Sequence, residues 1–140
     1  VIGGQAVNAY AEPVVSLDLD VVVAADQLAS LEPFLREEFK VKRFANSLNL
    51  SLEGSSLRVR IQTDPRYLAF VARATAREVL GLTLPIAAIE DVLQGKVWAA
   101  SDPSRRASKR QKDLADIARL VEARPDLRGR VPRGILDRLV

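Results

Sequence analysis

Ser16-Leu-Asp-Leu-Asp-Val-Val-Val-Ala24, SLDLDVVVA, is the stretch whose reading decides the fold. Strict alternation puts Leu17, Leu19, Val21 and Val23 on one face of a strand and Asp18, Asp20 and Val22 on the other. Asp is a poor strand former, so two of them in a run otherwise built of Leu and Val need a reason. Upstream, Gly3-Gly4 opens a segment suited to a helix that ends before Glu12-Pro13. The glycine pair therefore falls at a strand-to-helix turn, where backbone N–H groups are open to an anion. The two carboxylates, at i and i+2, stand about 6 to 7 Å apart along the strand, close enough to converge on one divalent cation.

Downstream, Asp26 is placed to cap a helix through DQLASLEPFLREEF, with Leu28, Leu31, Leu35 and Phe39 at helical spacing despite Pro33. VKRFA, LNLSLE and LRVRIQT follow as three short alternating runs separated by Asn46-Ser47 and Gly54-Ser55-Ser56, which predicts strands joined by tight turns. In the last of these, Leu57, Val59 and Ile61 face one way and Arg58, Arg60 and Gln62 the other. Asp64-Pro65 breaks the strand, a short helix through Tyr67, Phe70 and Val71 is expected, and TLP leads into a helix over IAAIEDVLQGKVWAA. Ser101-Asp102-Pro103 is expected to start the long helix through Leu114, Ile117 and Val121, which Arg124-Pro125 ends before a final amphipathic segment. The division expected is a single domain over 1–140, with a sheet-containing core over 1–85 and a helical region over 86–140.

Composition narrows the chemistry. The 140 residues are 48% hydrophobic and 28% charged, with 21 Lys and Arg against 18 Asp and Glu, a net charge of +3. Cys and His are both absent, which removes disulfides, thiolate and imidazole zinc sites and every His-dependent triad. Catalysis would have to run on carboxylates, Lys, Arg, Ser, Thr or Tyr. No apolar run approaches the roughly 20 residues of a membrane helix, so a cytoplasmic protein is expected. The chain has no Met and opens on Val-Ile-Gly-Gly, which reads as the end of a strand and leads us to expect an N-terminal truncation.

Taken singly, Asp-x-Asp reads as the solvated face of a half-buried sheet and Gly-Gly as a turn. Together, in this order, they resemble the signature of the nucleotidyltransferase (polymerase-beta-like) superfamily, especially its small bacterial members related to abortive-infection toxins and minimal nucleotidyltransferases. The segment LPIAAIEDVLQGKVWAASDPSRRASKRQKDLADIARLVE is similar to that group's helical region. The resemblance implies an α/β (α+β) fold, a nucleotidyltransferase-like mixed sheet flanked by helices with a helical C-terminal region. It further implies Asp18 and Asp20 as catalytic carboxylates and ligands of Mg²⁺ or Mn²⁺, and Gly3, Gly4, Gln5, Ser16 and Lys96 as nucleotide-binding residues. The implied reaction moves a nucleoside monophosphate from an NTP, with ATP expected, to a protein or RNA acceptor, in a toxin–antitoxin or phage-defence setting with a toxin or antitoxin partner.

The family's third strand carboxylate would fall at Arg60, so a degenerate member acting as a nucleotide- or partner-binding regulatory module is the alternative. Asp64 shares the parity of Arg60 but lies about 13 Å further along a strand. Lys96 sits on the edge of the stripe formed by Ile86, Ile89, Leu93, Val97 and Ala100, where it could snorkel or reach phosphates. Asp113 and Asp116 read as surface partners of Lys109 and Lys112. The basic run Arg105, Arg106, Lys109, Arg110 and Lys112 reads first as solvated surface, with phosphate attraction as the other use.

Overall fold

A computed structural model describes residues 1–139. Helix α1 (Gly3–Tyr10) leads to β1 (Asp18–Val22), α2 (Ala25–Glu38), β2 (Lys40–Phe44), β3 (Ser47–Ser51) and β4 (Arg58–Gln62). A 3₁₀ turn at Pro65–Tyr67 runs into α3 (Leu68–Arg73), then β5 (Thr75–Val79) and β6 (Leu82–Ile86). The remainder is α4 (Ile89–Ser101), α5 (Ala107–Ala123), a 3₁₀ segment at Pro125–Arg130 and α6 (Arg133–Leu136). The mixed α/β architecture expected from the strand and helix periodicities is the one observed.

The main sheet has the order β1-β4-β3-β2, with β1 and β4 parallel and the other two pairs antiparallel. A parallel neighbour requires a crossover, which α2 and the β2–β3 hairpin supply. One face of this sheet is apolar and is closed by α2, with Leu28 buried against Leu48, Leu50 and Ile61. The larger core lies on the other side of β1, where Ala6 and Val7 of α1 meet Leu93 and Val97 of α4 and Ile117 and Leu120 of α5. Leu127, Val131 and Ile135 bring the C-terminal segment into the same core.

Five local expectations are corrected. The segment expected to pass from a short helix to TLP is a hairpin of β5 and β6, paired from Thr75↔Ile86 to Val79↔Leu82. Its two-residue turn is Leu80-Gly81, both at positive φ (53° and 76°), the conformation right-handed strand twist demands. With Ile86 claimed by β6, α4 begins at Ile89 rather than at Ile86. Ser101 ends α4, and Asp102 folds back to accept from the Ser104 N–H (2.9 Å) and hydroxyl (2.7 Å), so α5 begins only at Ala107 and Arg105 lies in the loop before it. Asp26 sits inside the first turn of α2, favourable to the helix dipole, and caps nothing. Leu17 and Leu31, placed by periodicity on buried faces, are exposed.

Candidate active site

The turn into α1 is built around one contact. Val1-Ile2 is extended, the Ile2 N–H donating to the Asp20 carbonyl at 2.8 Å, and the chain then turns at Gly3 with φ +70°. A Cβ on Gly3 would lie 2.4 Å from Asp20 Oδ2. Only glycine lets the start of α1 approach that carboxylate. Gly4 lies beside the Ser16 hydroxyl, 3.7 Å from where its own Cβ would be. The Ser16 hydroxyl in turn donates to the Asp18 carbonyl and accepts from the Asp18 N–H, both at 3.3 Å.

Buried Gln5 donates its amide to the Ser16 carbonyl at 3.0 Å. Asn8 completes the clamp by exchanging two bonds with Val14, at 2.8 and 3.0 Å. The structure thus gathers Gly3, Gly4, Gln5, Ser16, Asp18 and Asp20 at one junction, with the Gln5 side chain engaged in holding the approach to β1.

The two carboxylates differ in surroundings. Asp18 Oδ1 accepts from Arg58 Nε at 2.9 Å, and Lys109 Nζ stands 3.9 Å from its other oxygen. Asp20 has no side-chain hydrogen bond and no ion pair among the described residues. Burial raises its pKa above the usual carboxylate value; the charges of Arg60, Lys96 and Arg105 work against that shift and Asp18 adds to it. Across the parallel register, Asp18 stands opposite Arg58 and Asp20 opposite Arg60. No acid occupies the β4 position facing Asp20. Asp64 accepts from the Arg66 N–H at 3.0 Å and pairs with its guanidinium at 3.0 Å, so it closes the 3₁₀ turn.

Lys96 is where sequence reasoning was least complete. Its stem does not snorkel: the ammonium is buried, 3.1 Å from Asp113 Oδ1 and 2.8 Å from Asp116 Oδ2. Asp113 also takes two bonds from Arg105, at 2.8 and 3.1 Å, and Asp116 pairs with Arg119 at 2.7 Å. Asp113 and Asp116 are therefore core residues linking α4 to α5, correcting their reading as surface partners of Lys109 and Lys112. Arg119 extends the network to Asn8 of α1 at 2.7 Å. The signal was present in the sequence: Asp113, Asp116, Ile117 and Leu120 share one helical stripe, and Lys96 lies on the stripe of the neighbouring helix.

Two clefts meet at Asp20. One, of about 590 Å³, runs from Gly3 and Asp20 past Arg60, Asp64 and Tyr67 to Trp98 and Arg105. Its wall holds an aromatic cluster in which Trp98 stacks on Phe70 and meets Tyr67 edge-on, with the Arg66 guanidinium 4.8 Å from the Trp98 ring centroid. The other, of about 480 Å³, lies over the open face of the sheet between Asp18, Arg58, Lys40 and Lys109. Asp20, Arg60, Lys96, Arg105 and Asp113 line both.

Among the described residues no group of three or more acids is placed to hold a metal ion. What the site offers a hard cation is the partnerless Asp20 carboxylate beside Asp18, whose bond to Arg58 is an exposed pair worth at most about 1 kcal/mol. That donor set fits an ion of the Mg²⁺ type, which usually takes one or two carboxylates and completes its shell with water and substrate phosphates. No helix among the described residues is long and apolar enough to cross a membrane.

No protein-family model matches this sequence, and no curated protein matches it significantly. Solved structures do match the fold. An antibiotic-resistance factor, ANT(2'')-Ia, superposes with a TM-score of 0.55 at 13% identity over 98% of this chain and 84% of its own. An antigenic nucleotidyltransferase-like protein from Paracoccidioides brasiliensis gives a TM-score of 0.52 at 16% identity, over 91% of this chain and 81% of its own. This chain shares the fold of these structures, a nucleotidyltransferase-like fold.

Proposed function

We propose that the protein is a metal-dependent nucleotidyltransferase that binds an NTP where the two clefts meet and transfers its nucleoside monophosphate to a protein or RNA acceptor. The observation that carries this reading is the Asp20 carboxylate, held without a partner among the described residues against the Gly3 turn, where a cationic cleft over the open sheet face meets a second cleft of mixed charge. Asp20 is partly buried; a carboxylate in such surroundings left unpaired is costly, and such groups cluster where a ligand completes them. Asp18 and Asp20 would hold Mg²⁺ or Mn²⁺, which when bound neutralises phosphate charge and orients the triphosphate. Gly3 lets the backbone of the α1 turn come close to that triphosphate, while Gln5 and Ser16 fix the turn against β1.

Lys96 and Arg105 contribute positive potential; Asp113 holds both in place, so Lys96 acts as a positioned charge. In the transfer, a bond forms between the acceptor oxygen and the α-phosphorus, and the bond to the bridging oxygen of the β-phosphate breaks. Pyrophosphate leaves with that electron pair. With Arg60 opposite Asp20, the acceptor proton is released to water, and rate enhancement rests on positioning and electrostatics. The test is transfer of label from α-labelled ATP and the other NTPs, with Mg²⁺ or Mn²⁺, to protein and RNA in a cell extract. Label lost in Asp20→Asn supports the reading; an unchanged signal in that variant overturns it.

Arg58 and Arg60, each directly opposite one carboxylate, favour a second reading, a degenerate nucleotide-binding module. It expects Mg–NTP binding that Asp20→Asn abolishes, without transfer of label.

A further inference from the structure

The exposed face of the main sheet carries a charge order that the nucleotide site alone does not use. Two rows cross the four strands in register. One reads Asp18, Arg58, Ser51, Lys40 and the other Asp20, Arg60, Asn49, Lys42. Each begins at a carboxylate on β1 and ends at a lysine on the far edge strand β2, about 14 Å away by strand spacing. Arg58, Arg60, Asn49, Lys40 and Lys42 are all exposed. The opposite wall of the cleft is the first turns of α5, which contribute Lys109 and Lys112. The cleft as a whole holds eight cationic side chains against three carboxylates, in a protein whose net charge is only +3.

We infer that this floor is a track for a single-stranded nucleic acid, held through its phosphates, with its end delivered to Asp18 and Asp20. This names the acceptor of the nucleotidyltransferase reading and rests on it. A triphosphate at the Gly3 turn cannot account for Lys40 and Lys42, three strands away. A folded protein acceptor would need a buried apolar anchor at the centre of its interface, and neither row contains an apolar side chain. A phosphodiester chain needs only cations in series. Phe44, next on the same face of β2 with Lys42 Nζ 5.3 Å from its ring centroid, offers one surface on which a base can stack.

The test is binding of labelled twelve-residue RNA and DNA strands by the full chain, in EDTA and without nucleotide, as a function of salt. Wild type is compared with Lys40→Gln/Lys42→Gln and with Arg128→Gln/Arg130→Gln, a control of equal charge on exposed residues outside the track. Circular dichroism verifies folding. Two lost phosphate contacts should lower the slope of log K against log salt by about 1.4 and weaken binding roughly 10- to 30-fold at 0.1 M salt in the lysine variant alone. Comparing the RNA and DNA arms identifies which strand is preferred. Equal losses in both variants, salt-independent binding, no binding, or equally tight binding of a poly-glutamate peptide would each overturn the inference. Strand binding that persists while label transfer is absent would instead count against the nucleotidyltransferase reading and leave the track standing.

Discussion

Gly3 and Gly4 are adjacent in sequence and opposite in what they tolerate. At Gly3, alanine meets both a left-handed backbone, costing about 1–2 kcal/mol, and an Asp20 oxygen 2.4 Å from the new Cβ. Gly3→Ala is expected to lower stability by at least about 1 kcal/mol in urea denaturation and to weaken Mg–NTP binding. Gly4→Ala, with only an ordinary contact to Ser16 at 3.7 Å, is expected to be neutral or to stabilise by up to about 1 kcal/mol. Asp20 itself makes stability depend on pH. Its folded pKa is raised by burial, so the folded state binds a proton more tightly than the unfolded chain. The stability this contributes is complete below the unfolded carboxylate pKa, about 3.9, and is lost as pH rises through the folded value. Asp20→Asn lacks that loss. Its melting temperature should exceed that of wild type at pH 8, converge with it at pH 3 to 4, and fall below it when saturating Mg–ATP is added at pH 8.

At the scale of elements, what could be read from the sequence depended on whether one pattern sufficed. β1, β4 and the β2–β3 hairpin alternate cleanly and are bounded by Asn, Gly and Ser, so their existence and the facing of Asp18, Asp20, Arg58 and Arg60 were legible. The β5–β6 hairpin was not, because its turn puts Leu80 where the familiar signal has Asn or Asp, and Arg77 and Glu78 interrupt the apolar alternation. The start of α5 was misplaced because Ser-Asp-Pro carries capping chemistry that the structure uses to close a turn instead. The site was legible at Asp18 and Asp20 and hidden at Asp113, since a buried acid looks like a surface acid until its partner's position is known. That partner relation has a measurable cost. Asp113→Asn leaves the Arg105 guanidinium without its carboxylate and Lys96 with Asp116 alone, and is expected to lose about 3–5 kcal/mol. Lys109→Ala, which removes an exposed charge 3.9 Å from Asp18, should change stability by less than about 1 kcal/mol. Equal effects of the two substitutions in denaturant titrations would remove the network from its place in the core.

The whole molecule has two cores of unequal size joined through β1, with Val21 turned toward the α2 side and Val22 toward the helical side. On the α2 side only Leu28, Leu48, Leu50 and Ile61 among the described residues are buried, and α2 leaves Leu31 and Phe34 exposed. So small a core should open before the larger one does, because local stability follows the apolar surface that each opening exposes. Native-state hydrogen exchange is therefore expected to give lower opening free energies for the amides of Val41, Leu48 and Leu50 than for those of Leu114, Ile117 and Leu120. The nucleotide site spans this division: Asp20 and Arg60 belong to the sheet, while Lys96 and Arg105 are held by the helices. A ligand that needs both halves folded raises the opening free energy of each by the same binding term, about 2.7 kcal/mol at a hundred times Kd. With Mg–ATP present, sheet and helix amides should gain protection equally. A gain confined to α4 and α5 would mean that the nucleotide is held by the helical side alone, and that Asp20 and Arg60 take no part in binding it.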